Sequence, residues 1–273
     1  MSKIKTSVII TTYNWPAALE AVLKGFSAQT EKSFEVIIAD DGSTAETAEC
    51  IKRLKPNLPF NLEHSWQKDE GFRAAAARNK AAAISNGNYL IFIDGDSIPL
   101  PSFVERHIYF SKTGKFIAGN RILLSEKFSS IILNQNIPVH LFKLREWLSL
   151  RMQRKVNRIM PFFYLKNFYL RNLLKKEWKG VRTCNFSCWK NDFFNVNGFD
   201  EKFVGWGRED SDLAIRLINS GIYRKDGRFA LPVLHLWHKE FDRANFEKND
   251  KYLLEAIKSK KIKAEEGVNR YLL

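Results

Sequence analysis

YLIFIDGDS, residues 89–97, is a short apolar run that ends in two carboxylates. Asn86-Gly87-Asn88 stops whatever helix precedes it, and Tyr89–Ile93 has the length and composition of a strand buried on both faces. Its C-terminal end carries Asp94-Gly95-Asp96. Residues two apart on a strand share a face, so the pair presents two carboxylates to one point. Hard oxygen ligands of this kind suit Mg²⁺ or Mn²⁺, ions that also hold a diphosphate. Acidic turns are common, and the pair gains meaning only from its surroundings.

Upstream, the same grammar repeats. Ser7–Ile10 reads as a buried strand, Pro16 opens a helix that runs to Ala28, and Phe34–Ala39 is a second strand. The DDGS turn, residues 40–43, follows, with Ser43 or Thr44 available to cap the next helix and Asp40 suited to an Asx-turn. Asn61–Trp66 reads as a third strand and Arg73–Ser85 as the helix after it. Strands alternating with helices predict an α/β domain with a mostly parallel sheet flanked by helices. In such sheets ligands bind beyond the carboxyl ends of the strands, and TTYN, DDGS and DGD all occupy such ends. They are expected to converge on one crevice, with Asp41 reaching a base or a ribose.

The second half holds VGWGREDSDLAIRLINSG, residues 204–221. Glycines on either side of Trp206 allow an unusual loop, and Glu209, Asp210 and Asp212 crowd a helix start where the dipole favours negative charge. As plain structure this is an acidic cap, with Leu213, Ile215 and Leu217 in the core. An exposed Trp beside carboxylates is also the composition of a sugar site, and one carboxylate there can act as general base on a hydroxyl. His235 and His238 close the apolar RFALPVLHLWH, and two histidines within four residues at a strand end suit metal coordination, completing a site begun by Asp96.

The chain has 273 residues, 45% of them hydrophobic, enough to bury a core. Cys50, Cys184 and Cys188 form neither a disulfide framework nor a zinc set, so a reducing, cytoplasmic setting is expected, with Cys184 and Cys188 as buried thiols. The sequence lacks a secretory leader and any long uncharged apolar run, so no membrane span is expected. The net charge of +14 implies an anionic partner. Residues 143–182 carry twelve Lys and Arg against Glu146 and Glu177, a net +10, interleaved with Phe, Tyr, Trp and Leu. A helical insertion, with a wide apolar face and a basic one, is expected there. Residues 139–182 would then contact an anionic membrane surface, or else pack on the domain with their charges in solvent. A Lys-rich, solvated helix is expected over residues 246–273.

SVIITTYN, DDGS, FRAAAARN, FIDGDS, CNFSCWKNDFFNVNGFDE and GWGREDSDL together resemble, in their order, inverting glycosyltransferases of family 2 with a GT-A fold. GWGREDSDL is also similar to the C-terminal module of the galactosyltransferase and N-acetylgalactosaminyltransferase group. The resemblance covers residues 5–125 and 183–240 and leaves 126–182 outside. It implies a nucleotide-sugar half over 1–125, the basic insertion over 126–182, and an acceptor and catalytic half over 183–245 of the same domain. It implies a UDP-sugar donor, a saccharide or glycolipid acceptor, and Mn²⁺ or Mg²⁺. By the same resemblance Thr11, Tyr13, Asp41 and Arg73 contact the nucleotide, Asp94 and Asp96 hold the ribose and the metal-bound diphosphate, and Asp210 is the base. Glu209, Trp206 and Asp212 line the sugars, and His238 or His235 binds metal, with His238 the stronger candidate.

Two other classes fit less well. A nucleic-acid-binding protein would use the basic aromatic stretch, but Asp94, Asp96, Glu209, Asp210 and Asp212 would repel a phosphate backbone, so no nucleic-acid partner is expected. A sugar nucleotidyltransferase would place a glycine-rich phosphate loop after the first strand, and TTYNWPAA has no glycine.

Overall fold

The computed structural model describes residues 5–166, 168–239 and 242–272. The first half alternates as the pattern requires. It runs β1 (Thr6–Thr12), α1 (Pro16–Ser27), β2 (Phe34–Asp40), α2 (Ala45–Leu54), β3 (Asn61–Trp66), α3 (Ala74–Ala83) and β4 (Tyr89–Asp94). Then follow β5 (Ser97–Pro99), α4 (Phe103–Phe110), β6 (Lys115–Ala118), β7 (Asn120–Leu123), α5 (Glu126–Gln135) and α6 (Leu144–Met152). The chain closes with β8 (Asn185–Trp189), α7 (Lys190–Asn195), α8 (Glu209–Asn219), β9 (Tyr223–Asp226), β10 (Pro232–His235) and α9 (Phe246–Lys258).

Seven strands form one sheet in the order β3-β2-β1-β4-β8-β6-β9. β3, β2, β1 and β4 are parallel, and β8 runs antiparallel to both β4 and β6. A strand of the second half therefore lies inside the sheet of the first. Alternation along β1 and β4 explains the two layers of cover. Val8, Ile10, Ile91 and Ile93 pack with α1 and α4, while Ile9, Leu90 and Phe92 pack with α3, α7 and α8. A smaller sheet, β5-β10-β7, sits beyond the end of β4. Its antiparallel register places His235 opposite Ser97, next to Asp96.

Residues 126–182 differ from the helical insertion expected. α5 and α6 are regular, but the described residues between 153 and 182 form turns, short 3-10 segments and an isolated bridge from Val156 to Leu124. Aromatic and basic side chains interleave there without a 3.6-residue period, and tertiary contacts replace helix hydrogen bonds. Buried Arg171 donates to the carbonyls of Asp226 and Arg228, and Trp147 stacks on Phe162 with centroids 4.5 Å apart. The C-terminal helix is also shorter and less solvated than expected. α9 ends at Lys258 with Leu253 and Ala256 buried, and a 3-10 turn at Val268–Tyr271 then packs on α3. Thr44 is the N-cap of α2 but makes no side-chain cap bond, and the Ser43 hydroxyl instead accepts the Asn14 N–H.

Candidate active site

A cleft of about 930 Å³ opens at the carboxyl ends of β1, β2 and β4, where the sheet rule puts it. Thr11, Tyr13, Asp41, Asp94, Asp96, Trp206, Glu209, Asp210, His235 and His238 all line it. Tyr13 is half exposed, and its hydroxyl donates to Asp69 at 2.9 Å. Asp41 is buried, accepting the Arg73 backbone N–H at 2.8 Å and the Gln67 amide at 2.7 Å. Burial pushes its pKa up to about 6 against those two donors. Neighbouring Asp40 serves the turn, accepting the Ser43 N–H at 2.8 Å and facing His64 at 2.8 Å. Gly42 sits at φ +93°, and a Cβ there would stand 2.5 Å from the Asp69 Cα, so no other residue makes this turn without strain.

At the floor, one guanidinium organises the acids. Arg78, 4% exposed, donates to Thr11 Oγ1 at 2.9 Å, Asp94 Oδ1 at 3.2 Å and Glu209 Oε1 at 3.3 Å, and lies 3.8 Å from Asp210 Oδ1. Burial opposes its charge, but Asp94, Asp210 and Glu209 outweigh that and hold it protonated. The carboxylates feel the converse. Burial, reinforced by Asp210 and opposed by Arg78, pushes Glu209 up to about 7. Burial likewise raises Asp210, against Arg78 and against the Thr183 hydroxyl that donates to its Oδ1 at 2.6 Å. Arg208 takes a left-handed φ of +81° just before α8, and the turn it makes delivers Glu209 and Asp210 to the cleft together.

Asp96 occupies the tight turn after β4 rather than the strand, so the shared-face geometry expected of the Asp94–Asp96 pair does not apply. Asp94 turns to Arg78, and Asp96 faces the histidines. His235 Nε2 lies 3.7 Å from Asp96 Oδ1 and His238 Nε2 3.4 Å from Asp96 Oδ2. Among the described residues these three form the only group of three such side chains with ligand atoms within 4.8 Å of one another. Each histidine donates its Nδ1–H to a backbone carbonyl at 2.8 Å, that of Leu236 or Lys239, which turns the Nε2 lone pair toward Asp96. One carboxylate and two imidazoles with fixed tautomers fit a divalent first-row transition ion, the carboxylate suiting Mn²⁺.

Three expected site residues differ in placement. Asp212 does not line the cleft: it is 1% exposed and forms a buried pair with Arg216 at 2.7 Å, because the fourth residue of α8 points into the core. Arg73 contributes its backbone as the N-cap of α3, while its side chain is absent from the cleft lining. Trp206 is half buried rather than exposed, stacked on Phe246 at 5.9 Å with the Arg243 guanidinium over its ring at 5.1 Å. The residues that sequence reasoning missed are Arg78 and Thr183. Arg78 lies in the same FRAAAARN string as Arg73, and a lone cation among small apolar residues of a packed helix was its available signal. Cys184 lines the cleft as a buried free thiol, and Cys50 and Cys188 are buried and free as well.

The family model for glycosyl transferase family 2 matches residues 7–178, and the model described as the N-terminal domain of galactosyltransferase matches residues 170–238. The first match extends past residue 125, where the likeness of the motifs stopped, to residue 178. Validoxylamine A glucosyltransferase of Streptomyces hygroscopicus subsp. jinggangensis is 31% identical over 225 residues, covering 79% of this chain and 52% of the relative. Chondroitin synthase of Escherichia coli is 27% identical over 228 residues, covering 80% and 32%. The chain thus spans about half or less of the length of these relatives. S. aureus TarS 1-349 in complex with UDP superposes with a TM-score of 0.63 at 14% identity, covering 98% of this chain and 68% of the other. That likeness establishes the fold, which is the GT-A fold implied by the motifs.

Proposed function

The chain belongs to glycosyl transferase family 2, and on that premise we propose that it transfers a hexose or N-acetylhexosamine from a UDP-sugar to a saccharide or glycolipid acceptor. The transfer inverts the anomeric carbon, depends on a divalent cation, and serves bacterial cell-surface polysaccharide synthesis. The observation that carries this reading is the meeting, in one cleft, of three strand ends, the acidic start of α8 and the Asp96–His235–His238 cluster. The UDP complex of TarS favours a uridine donor, and a relative named for transfer to a GlcNAc-diphosphoundecaprenol favours a glycolipid acceptor.

In this reading the nucleoside occupies the β1 and β2 ends, against Thr11, Tyr13 and Asp41. Asp210 accepts the proton of the acceptor hydroxyl at its carboxylate, and its raised pKa makes it a stronger base than an ordinary aspartate. Thr183 fixes the orientation of that carboxylate. Glu209 and the Trp206 face line the sugar, and Arg78 keeps the acids in register. A cation held by Asp96, His235 and His238 would neutralise charge on the departing diphosphate. With one base on one side of the sugar, the displacement is a single in-line step.

Thermal melting of wild type and Asp96→Ala with UDP or ADP, each with and without Mn²⁺, tests the donor class. Ligand at ~100 times its dissociation constant adds about 2.7 kcal/mol, enough to raise the midpoint by several degrees. A shift with UDP plus metal alone, lost in Asp96→Ala, supports the reading. No shift with either nucleotide sinks it.

A further inference from the structure

Twenty large apolar side chains are exposed among the described residues, and ten of them lie between Leu141 and Leu173. Isolated exposed apolar residues need no explanation, but half of them in one short stretch do. The arrangement on α6 is the most informative. Trp147 and Leu150 face inward, Trp147 1% exposed, stacked on Phe162 and donating its indole N–H to the Phe142 carbonyl at 3.2 Å. Leu144, Leu148 and Met152, spaced four apart, form a ridge on the opposite side and are 43%, 42% and 81% exposed. At 100° per residue Arg151 and Arg145 fall on either flank of that ridge. The helix is thus amphipathic twice, with an inner face for the domain and an outer apolar face edged by cations.

The neighbouring chain extends the same surface. Leu141, Met160 and Phe163 are exposed, as are Lys143, Arg154 and Arg158. Across residues 141–163 six basic residues stand against one acid, Glu146, and that carboxylate is taken by the Lys143 backbone N–H at 2.6 Å. The surface also borders the cleft. Arg158 donates to the Arg121 carbonyl at 2.9 Å, and Asn157 and Leu123 exchange two hydrogen bonds, Arg121 and Leu123 being lining residues.

We propose that residues 141–163 form a rigid platform that lies in the headgroup region of an anionic lipid bilayer, with the Leu144–Leu148–Met152 ridge inserted and Arg145 and Arg151 on the phosphates. A flat polyanion would use the cations and leave the ridge in water, and a second copy of the chain would meet like charge. A bilayer surface satisfies both. Because the platform adjoins the cleft, it would present that opening to a lipid-linked acceptor. That last clause rests on the glycosyltransferase reading; the binding itself does not.

Sedimentation with vesicles tests it, using phosphatidylcholine alone and phosphatidylcholine with about a third phosphatidylglycerol. Wild type is expected to bind the anionic vesicles only. Arg145→Gln/Arg151→Gln should lower the partition coefficient about 25-fold, at roughly fivefold per cation. Leu144→Ser/Leu148→Ser/Met152→Ser should lower it at least about tenfold, since burying even part of three such side chains contributes that much. These positions are exposed, and unchanged melting midpoints will show that the variants fold. Both should keep the UDP and Mn²⁺ melting shift. If wild type itself lacks that shift, the donor reading fails while the vesicle result stands. The proposal is overturned if wild type ignores anionic vesicles. It is equally overturned if the ridge variant binds them as wild type does, which would make the surface a site for soluble polyanions.

Discussion

Replacing Arg78 by Met removes the one cation among three buried or half-buried carboxylates while keeping a long, flexible side chain in its place. The structure assigns it bonds to Thr11, Asp94 and Glu209 and a close approach to Asp210. Breaking a buried pair by deleting one partner costs about 3–5 kcal/mol, because the remaining charge is left desolvated. At roughly 2–4 °C per kcal/mol for a chain of this size, the thermal midpoint should fall by about 6–20 °C at about pH 8. The loss is predicted to depend on pH with a definite sign. Glu209 is raised to about 7 in the fold, so the folded state binds more protons than the unfolded chain between its ordinary value and 7. Stability therefore declines as pH rises through that window and levels off above it. Without Arg78 the folded value rises further, so the deficit against wild type grows as pH rises past about 7 and shrinks toward about pH 5 as Glu209 takes up its proton. Circular dichroism melts at both pH values read this directly. An unchanged midpoint, or a deficit equal at the two pH values, would refute the claim that Arg78 is the counter-charge of this site.

Asp210→Asn should lower kcat by about 10²- to 10⁴-fold while leaving the UDP and Mn²⁺ melting shift in place, and the rise of rate with pH on the acidic side should vanish; isothermal titration and pH-rate profiles separate the two effects. His238→Ala and His235→Ala should each remove the Mn²⁺-dependent part of the nucleotide shift and leave the apo midpoint nearly unchanged, as measured by melting with and without metal. Asp212→Ala should behave in the opposite way. It strands Arg216 in the core, so the midpoint should fall by an amount matching about 3–5 kcal/mol, with kcat per folded molecule retained; a kcat loss without destabilisation would return Asp212 to the site.

The parts of this molecule legible in the sequence are those governed by short-range rules. β3 matches its expected bounds at Asn61–Trp66, and β1, β2 and β4 differ only at their ends, because apolar runs bounded by turn residues have few other solutions. The position of the cleft follows from strand order, since TTYN, DDGS and DGD must meet where the strands end. Side-chain direction inside that cleft is a different matter. Arg73 and Arg78 are five apart on one helix and so face different ways, and only the packing of α3 against β1 and β2 decides which enters the site. Asp210 and Asp212 are separated by the same logic: two positions on a helix amount to 200°, which sends one into the cleft and the other into the core.

Composition alone makes the basic segment look helical, because it says nothing of which partner each aromatic or cationic side chain has. Between Gln153 and Arg182 they have individual partners instead: Arg171 with two carbonyls, Tyr164 under the Arg106 guanidinium at 4.0 Å, Lys166 over Tyr109 at 4.7 Å. Each such contact satisfies one side chain at a distance the local sequence does not encode, and together they hold an irregular backbone that no propensity scale favours. Exposed cations occur along the whole segment, but on α6 and its flank they border an ordered apolar ridge, Leu144, Leu148 and Met152. The same composition therefore does two jobs: Arg171 fastens the chain to the turn after β9, and α6 with its flank presents a surface that packing alone gives no reason to keep both apolar and charged.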